Sequence, residues 1–474
     1  MNRERSRAAP HCARQRPHEG FSHTLPGVGA DKQVSVMTAV PQSTVGDPGR
    51  VQELARALRA GDITPRALVE RALERIAEVD GSVHAWVSVQ AHAARAAADA
   101  LGAESRSGHW RSVVHGLPFA IKDVIDLAGV PTRAGSAARA DAARARIDAT
   151  VILRLRAQGA IPLGKVHTTE FAYFDGIPPT RNPHDLRHTP GGSSAGSAAA
   201  VASGTVPFAL GTQTAGSVNR PASFCGIGAF KPTGLSVVGS GLTPLSPSFD
   251  TLGAFAATAT DAALVMAAIV PEGLAQGIAD AATAPGADSV VLLQDPHIDA
   301  RMTPGMADAV EALGRRLGAG GLRLRRAFAP VSFESLLAAH RTVLLFELGR
   351  THAALLAQED VISPRLAADI RAGLDLSPVQ HAEATTALIL SRQRFWAEWG
   401  PGTLVLAPAA PGAAPEGQAT GDPSFIIPFT ALAGPVASVP AERCPQSGLP
   451  LGALLAAAPG EDTRLAATLH RHGL

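Results

Sequence analysis

The segment Pro190–Gly234 constrains this chain more than any other. It opens with Gly191-Gly192-Ser193-Ser194-Ala195-Gly196-Ser197 and runs into an alanine-rich stretch. It then passes through Gly211-Thr212-Gln213-Thr214-Ala215-Gly216-Ser217, Phe224-Cys225-Gly226 and Phe230-Lys231-Pro232-Thr233. Small side chains let a backbone adopt dihedrals closed to larger residues and bring its N–H donors against a ligand. Each of the two loops abuts a regular element, since the pattern predicts a helix over 195–203 and a strand over 206–210. A Gly/Ser linker would instead separate two domains.

The surroundings alternate in the same way. Short apolar runs predict strands over 117–121, 160–163, 290–293, 404–407, 436–439 and 451–455. Helical periodicity marks 91–101, 150–158, 308–317 and 343–356. Thr64-Pro65 reads as an N-cap followed by proline in the first turn, with Val69, Leu73 and Ile76 on one face behind it. This alternation predicts an α/β fold: one large domain with a central mixed, mostly parallel sheet flanked by helices. At 474 residues, 46% of them hydrophobic, the chain has ample material for such a core. Residues 1–48, rich in Arg, His, Gly and Pro without periodicity, read as a disordered extension in which Met37 is an alternative start. The domain is expected over 49–474, with its core near 110–260 and a helical variable region near 300–400.

Three local patterns offer chemistry. Gly192-Ser193-Ser194-Ala195-Gly196 fits the G-x-S-x-G nucleophile elbow centred on Ser194, but that elbow needs a buried strand before it. The polar, proline-bounded stretch Asn182–Pro190 precedes it instead. His184 and His188 have the spacing of a zinc-binding H-E-x-x-H, yet Asp185 stands where Glu belongs and the flanking prolines oppose a helix. No serine lies three residues before a lysine, so the S-x-x-K arrangement is absent.

The block as a whole closely resembles the amidase signature, G-G-S-S-[GA]-G-S followed by G-T-D-T-[GA]-G-S, P-A-x-x-C-G and K-P-T. The resemblance extends through Gly116–Asp123, Pro131–Ser136, Gly164-Lys165, Thr180–Pro183 and Phe249–Gly253, with weaker echoes at Pro408–Pro411 and Gly448–Gly452. It implies a Ser-Ser-Lys triad: Lys122 as base, Ser193 as relay preceded by a cis peptide bond, and Ser217 as nucleophile. It also implies an oxyanion hole from the backbone N–H groups of Thr214, Ala215, Gly216 and Ser217. The chemistry is coherent, because a serine hydroxyl needs a base and a lysine serves as one only when burial keeps it neutral. The chain departs from the pattern at Gln213, where relatives carry Asp, and at Asn219, where many carry Arg. A charged pair would then have become a neutral one. Tyr173, Phe174 and Gln213 are candidates for the substrate pocket, whose walls are expected from 170–180 and 330–400. Lys165, Lys231, Ser194, Ser197 and Cys225 are expected to be structural.

Composition narrows the function. Forty-two basic against 41 acidic residues leave a net charge of +1, which attracts neither nucleic acid nor an anionic membrane. Cys12, Cys225 and Cys444 form no disulfide framework or metal cluster, and the arginines near the N-terminus precede no apolar signal core, which points to the cytoplasm. The chain contains only four lysines, so Lys122 inside a motif stands out. The leading expectation is a metal-free and cofactor-free hydrolase of small amides, anilides, esters or carbamates, acting as a monomer or homodimer. The alternatives are the transamidating subunit of a glutamine-dependent amidotransferase, which needs a partner and is expected to carry Asp at 213, and a binding protein on an inactive amidase fold.

Overall fold

The computed structural model describes residues 44–236 and 239–474. Eleven strands among them form one sheet: β1 (Trp86–Val89), β2 (Pro118–Lys122), β3 (Ile161–Val166), β4 (Phe208–Gln213), β5 (Gly228–Lys231), β6 (Thr251–Ala256), β7 (Ser289–Gln294), β8 (Arg323–Phe328), β9 (Thr403–Pro408), β10 (Val436–Arg443) and β11 (Pro450–Ala456). Their order is β1-β3-β2-β4-β6-β5-β10-β11-β9-β7-β8, with helices against the sheet in a single large α/β domain.

The sheet is mixed, as expected, but not mostly parallel. Only β2–β3, β2–β4, β7–β8 and β7–β9 run parallel, and the other six neighbouring pairs are antiparallel. The pattern of apolar runs missed β5 and β6, which are too short and too rich in Gly and Ala to show periodicity. It also overlooked that β10 and β11 form a hairpin.

The strands that matter for chemistry sit in the buried middle. Every residue of β2 is buried, and alternate residues serve opposite faces. Phe119 and Ile121 join Phe208 and Leu210 in one apolar cluster, whereas Ala120 and Ala209 join a second. The parallel register places Phe119 beside Phe208, and their rings stack with centroids 5.1 Å apart. Small residues on the second face admit the helix Ala195–Ala202, all eight residues of which are buried.

Most of the disordered extension expected over 1–48 lies outside the described residues, as does Met37. Residues 44–48 are described and are not a free tail. Thr44 N donates to Pro183 O at 2.7 Å, Gly46 N to Ala202 O at 3.1 Å, and the Arg75 guanidinium to Thr44 O at 3.0 Å and Ser203 O at 2.9 Å. The Thr64 side chain caps the helix Pro65–Val83 by accepting from Ala67 N, as the sequence predicts. The helices Phe333–His352, Pro364–Asp375 and Pro378–Trp399 make up the helical region expected near 300–400. No helix among the described residues is long and apolar enough to cross a membrane.

Candidate active site

Two parallel neighbours, β2 and β4, end side by side, and ligands of α/β sheets gather outside the carboxyl ends of such strands. β2 ends on Lys122. β4 ends on Gln213 and releases the loop Thr214–Ser217. The loop carrying Ser193 reaches the same edge just before the helix Ala195–Ala202. Gly191 turns that loop with φ 83°, a conformation that favours glycine. The peptide bond between Gly192 and Ser193 is cis.

Lys122 is wholly buried, and its Nζ lies 2.7 Å from Ser193 Oγ, 2.8 Å from Thr212 Oγ1 and 3.4 Å from Thr212 O. Burial pulls this amine from its usual 10.5 down to about 7, against the opposing pull of the Asp250 carboxylate. The direction of this shift favours the neutral amine. These hydrogen bonds reach Ser193 and stop short of Ser217, whose side chain lies one loop further on.

The loop before Ser217 is braced from outside, so its amides are not needed to hold it. Thr214 Oγ1 donates to Asp250 Oδ1 at 2.5 Å, and Thr214 O accepts from His340 Nε2 at 2.9 Å. Ala215 O accepts from Thr430 Oγ1 at 2.6 Å. None of the N–H groups of Thr214, Ala215, Gly216 and Ser217 is spent on a backbone acceptor among the described residues. Four backbone donors in succession thus adjoin Ser217.

Asp250 owes its place to register. Gln213 pairs with Thr251 across β4 and β6, so the residue before Thr251 lies beside the residue after Gln213. Its carboxylate also accepts from Leu245 N and Ser246 N, at 2.7 and 3.1 Å. Burial raises it to about 6 in spite of these hydrogen bonds. Burial likewise lowers His340 to about 4, so its ring is neutral, stacked on Phe249 with centroids 4.2 Å apart.

Gln213 is wholly buried behind the loop. Its Oε1 accepts from Val218 N and Asn219 N, and its Nε2 donates to Asn219 Oδ1 at 2.9 Å. The neutral pair expected at 213 and 219 is thus present, and Gln213 braces the loop from behind. Phe174 lines a cleft of about 620 Å³ with Ile177, His340, Arg341, Arg365 and Thr420, and none of Lys122, Ser193 and Ser217 is in its lining. Tyr173 is buried beneath it and donates to Asp369 at 2.6 Å. The walls of this cleft come from 174–177, 337–365 and 419–427, the last of which carries no motif.

The other patterns resolve as structural. Ser194 is wholly buried and donates to Thr212 O at 3.3 Å, and Ser197 donates to Leu210 O at 2.9 Å. His184 Nε2 meets Cys225 O at 3.0 Å, whereas His188 turns to Asp185. Lys165 pairs with Asp123 at 2.9 Å, and Lys231 donates to Pro232 O and Gly434 O. Cys225 is buried, which pushes its thiol up. The sequence pattern singles out none of Asp250, His340, Thr430 and Arg220, although Asp250 stands in the Phe249–Gly253 motif.

Known proteins resemble this chain in both sequence and fold. The A subunit of the glutamyl-tRNA(Gln) amidotransferase of Chromohalobacter salexigens is 45% identical over 224 residues, 46% of this chain and 45% of that protein. The AtzE subunit of the 1-carboxybiuret hydrolase of Pseudomonas sp. (strain ADP) is 40% identical over 209 residues, 43% of this chain and 46% of its own length. The match thus spans about half the length of these curated relatives. The structure of the native peptide amidase of Stenotrophomonas maltophilia aligns at 26% identity with a TM-score of 0.76, covering 89% of this chain and 96% of that one. The amidase family model matches residues 67–364, well over half the chain and all three residues Lys122, Ser193 and Ser217, and the chain belongs to the amidase family.

Proposed function

We propose that the protein is a serine hydrolase of small amide-type substrates in which Ser217 is the nucleophile, Ser193 the proton relay and Lys122 the base. The observation that carries this reading is the buried Lys122 amine, held near neutrality 2.7 Å from Ser193, beside a serine loop whose four amides are free. Ser217 Oγ attacks the carbonyl carbon, its proton passes to Ser193 Oγ, and the Ser193 proton passes to Lys122. The tetrahedral oxyanion takes hydrogen bonds from the amides of Thr214–Ser217. Collapse breaks the C–N bond, and the amine leaves with a proton returned through Ser193. Water then repeats the sequence on the acyl-enzyme, giving the carboxylic acid and free Ser217. Esters, anilides and carbamates fit the same route. The free thiols Cys225 and Cys444 suit a reducing cytoplasm as the place of action.

A second reading is favoured by one observation, the 45% identity to a glutamyl-tRNA(Gln) amidotransferase chain. It assigns the same triad to releasing ammonia for a partner. Gln213, where that reading expects Asp, speaks against it.

The purified chain alone, assayed on p-nitroanilides and short amides, separates the two. We expect turnover without a partner, abolished by Ser217→Ala with the circular dichroism spectrum unchanged and retained by Ser194→Ala. Turnover that survives Ser217→Ala above a few per cent removes Ser217 as nucleophile.

A further inference from the structure

One helix, Phe333–His352, holds the active-site edge of the sheet from outside. His340 Nε2 donates to Thr214 O at 2.9 Å, and His352 Nε2 donates to Pro244 O at 2.8 Å. Glu347 stands between them with its side chain 14% exposed. Its Oε2 accepts from Ser246 Oγ and, at 3.1 Å, from Ser248 N, while its Oε1 accepts from Ser248 Oγ. No lysine or arginine pairs with this carboxylate among the described residues, and His381 Nε2 lies 3.8 Å from Oε1. A carboxylate whose two oxygens take three donors from one loop is a clamp on that loop.

The clamped loop leads straight to the amides beside Ser217. Ser246 is tied to Asp250 at both ends of its own backbone. Its N–H donates to Asp250 Oδ2 at 3.1 Å, and its carbonyl accepts from Asp250 N at 2.8 Å. Asp250 Oδ1 in turn accepts from Thr214 Oγ1 at 2.5 Å. Thr214 is therefore gripped twice from the same helix: at its hydroxyl through Glu347, Ser246 and Asp250, and at its carbonyl by His340. The carbonyl of Thr214 and the N–H of Ala215 share one rigid peptide plane, so whatever turns the first turns the second.

We propose that Glu347 is a positioning residue for acyl transfer, which sets the direction of the Thr214–Ser217 amides through Ser246, Ser248 and Asp250 and touches neither substrate nor reacting atoms. This deepens the hydrolase reading and rests on it for turnover. Donors aimed at an oxyanion act only within a narrow range of distance and angle, and they act on the transition state more than on the bound substrate. Loss of the clamp therefore lowers kcat and leaves KM in place. What Glu347 supplies is hydrogen-bond geometry, which glutamine reproduces. The glutamine oxygen takes Ser246 Oγ and Ser248 N, and its nitrogen donates to Ser248 Oγ, whose hydroxyl turns away.

The test uses the p-nitroanilide that wild type turns over fastest, a trifluoromethyl ketone with the same acyl group, and a fluorophosphonate that counts working Ser217 sites. The ketone adds Ser217 Oγ and places its oxyanion where the transition state does. Per labelled site, Glu347→Ala should lower kcat roughly 10–100-fold, with KM within about twofold of wild type. Binding of the ketone should weaken by the same factor as kcat/KM. Glu347→Gln should stay within about threefold of wild type in all three. If Glu347→Ala yields no folded protein, the double variant Ser246→Ala, Ser248→Ala removes the hydroxyl donors from the other side and carries the same expectation. An unchanged kcat per site, with or without a lower thermal midpoint, makes Glu347 a mere brace and overturns the proposal. So does a loss confined to KM, and so does Glu347→Gln as impaired as Glu347→Ala. Failure of the hydrolase reading looks different: a wild type that neither turns over nor takes the label removes that reading, and with it the reaction that Glu347 would serve.

Discussion

At the scale of single residues, the chemistry turns on what burial does to Lys122. A solvated lysine is protonated at pH 7 and takes no proton from serine. Burial at the end of β2 pulls the same group down to about 7, which brings the neutral form within reach there. The sign follows directly: the base works when deprotonated, so kcat/KM should rise through an acid limb centred near pH 7 and level off above it. Lys122→Ala should flatten that limb and cost amides about 10²–10⁴ in rate, the range of a positioned acid–base group. Esters should suffer less, because an alkoxide or phenoxide leaves without the proton that an amine needs. A wild-type limb retained in the variant, or equal losses for amides and esters, rejects Lys122 as the shuttle. Lys122, Ser193 and Ser217, the residues proposed as the triad, could be singled out because the resemblance is dense in rare positions and the chain has only four lysines to choose among. Arg220 was not legible. That it is wholly buried and donates to the Gly192 carbonyl follows from where the fold carries it, which no local pattern states.

At the scale of elements, strand ends and registers do the positioning. The antiparallel start of β6 brings Asp250 to Thr214, and its charge favours the protonated form of Lys122. Removing the charge should therefore lower the lysine further. Asp250→Asn is expected to move the acid limb of kcat/KM toward lower pH and to reduce kcat, since an amide keeps one acceptor oxygen where the carboxylate uses two, Oδ2 for Leu245 N and Ser246 N and Oδ1 for Thr214 Oγ1. An unmoved limb would show that Asp250 only packs. Behind the same loop, Gln213→Ala strands the buried N–H groups of Val218 and Asn219, each worth about 1–3 kcal/mol when left unpaired. The urea midpoint should fall accordingly, and an unchanged midpoint would mean that water reaches those amides. The buried strands β2, β3, β4, β7 and β9 were readable as apolar runs, and Thr64-Pro65 as a helix start. The segment 419–427, which supplies a cleft wall, was not, because its role comes from where the chain is carried and not from any local pattern.

At the scale of the whole molecule, the fold class was legible from alternation, whereas the balance of parallel and antiparallel pairs was not. Strand direction depends on which distant strand a segment meets, and β4 meets β6 antiparallel through a connection that no periodicity describes. The same long-range order decides which strands become edges, and an eleven-stranded open sheet must have two. At one edge β1 offers only four residues. At the other, β8 pairs with β7 alone and presents six residues, almost all exposed, including Phe328 at 67%. A long exposed edge with apolar side chains invites pairing with another chain unless charge opposes it. β8 carries Arg323, Arg325 and Arg326, with Arg326 paired to Glu311 at 3.0 Å and Arg325 set over the Trp399 ring. Three like charges on each copy repel a second β8, which accounts for a segment too polar to be recognised as a strand. Replacing all three with valine should leave the strand intact, since valine suits it better than arginine. The expected outcome is concentration-dependent growth in light scattering at about neutral pH, with the unassociated fraction keeping its activity per mole. High salt should move the wild type part of the way in the same direction, because exposed charges are screened within about 10 Å at 0.1 M. A variant that scatters no more than wild type at matched concentration would leave the arginines of β8 without this role, and the edge would have to be protected by its twist alone.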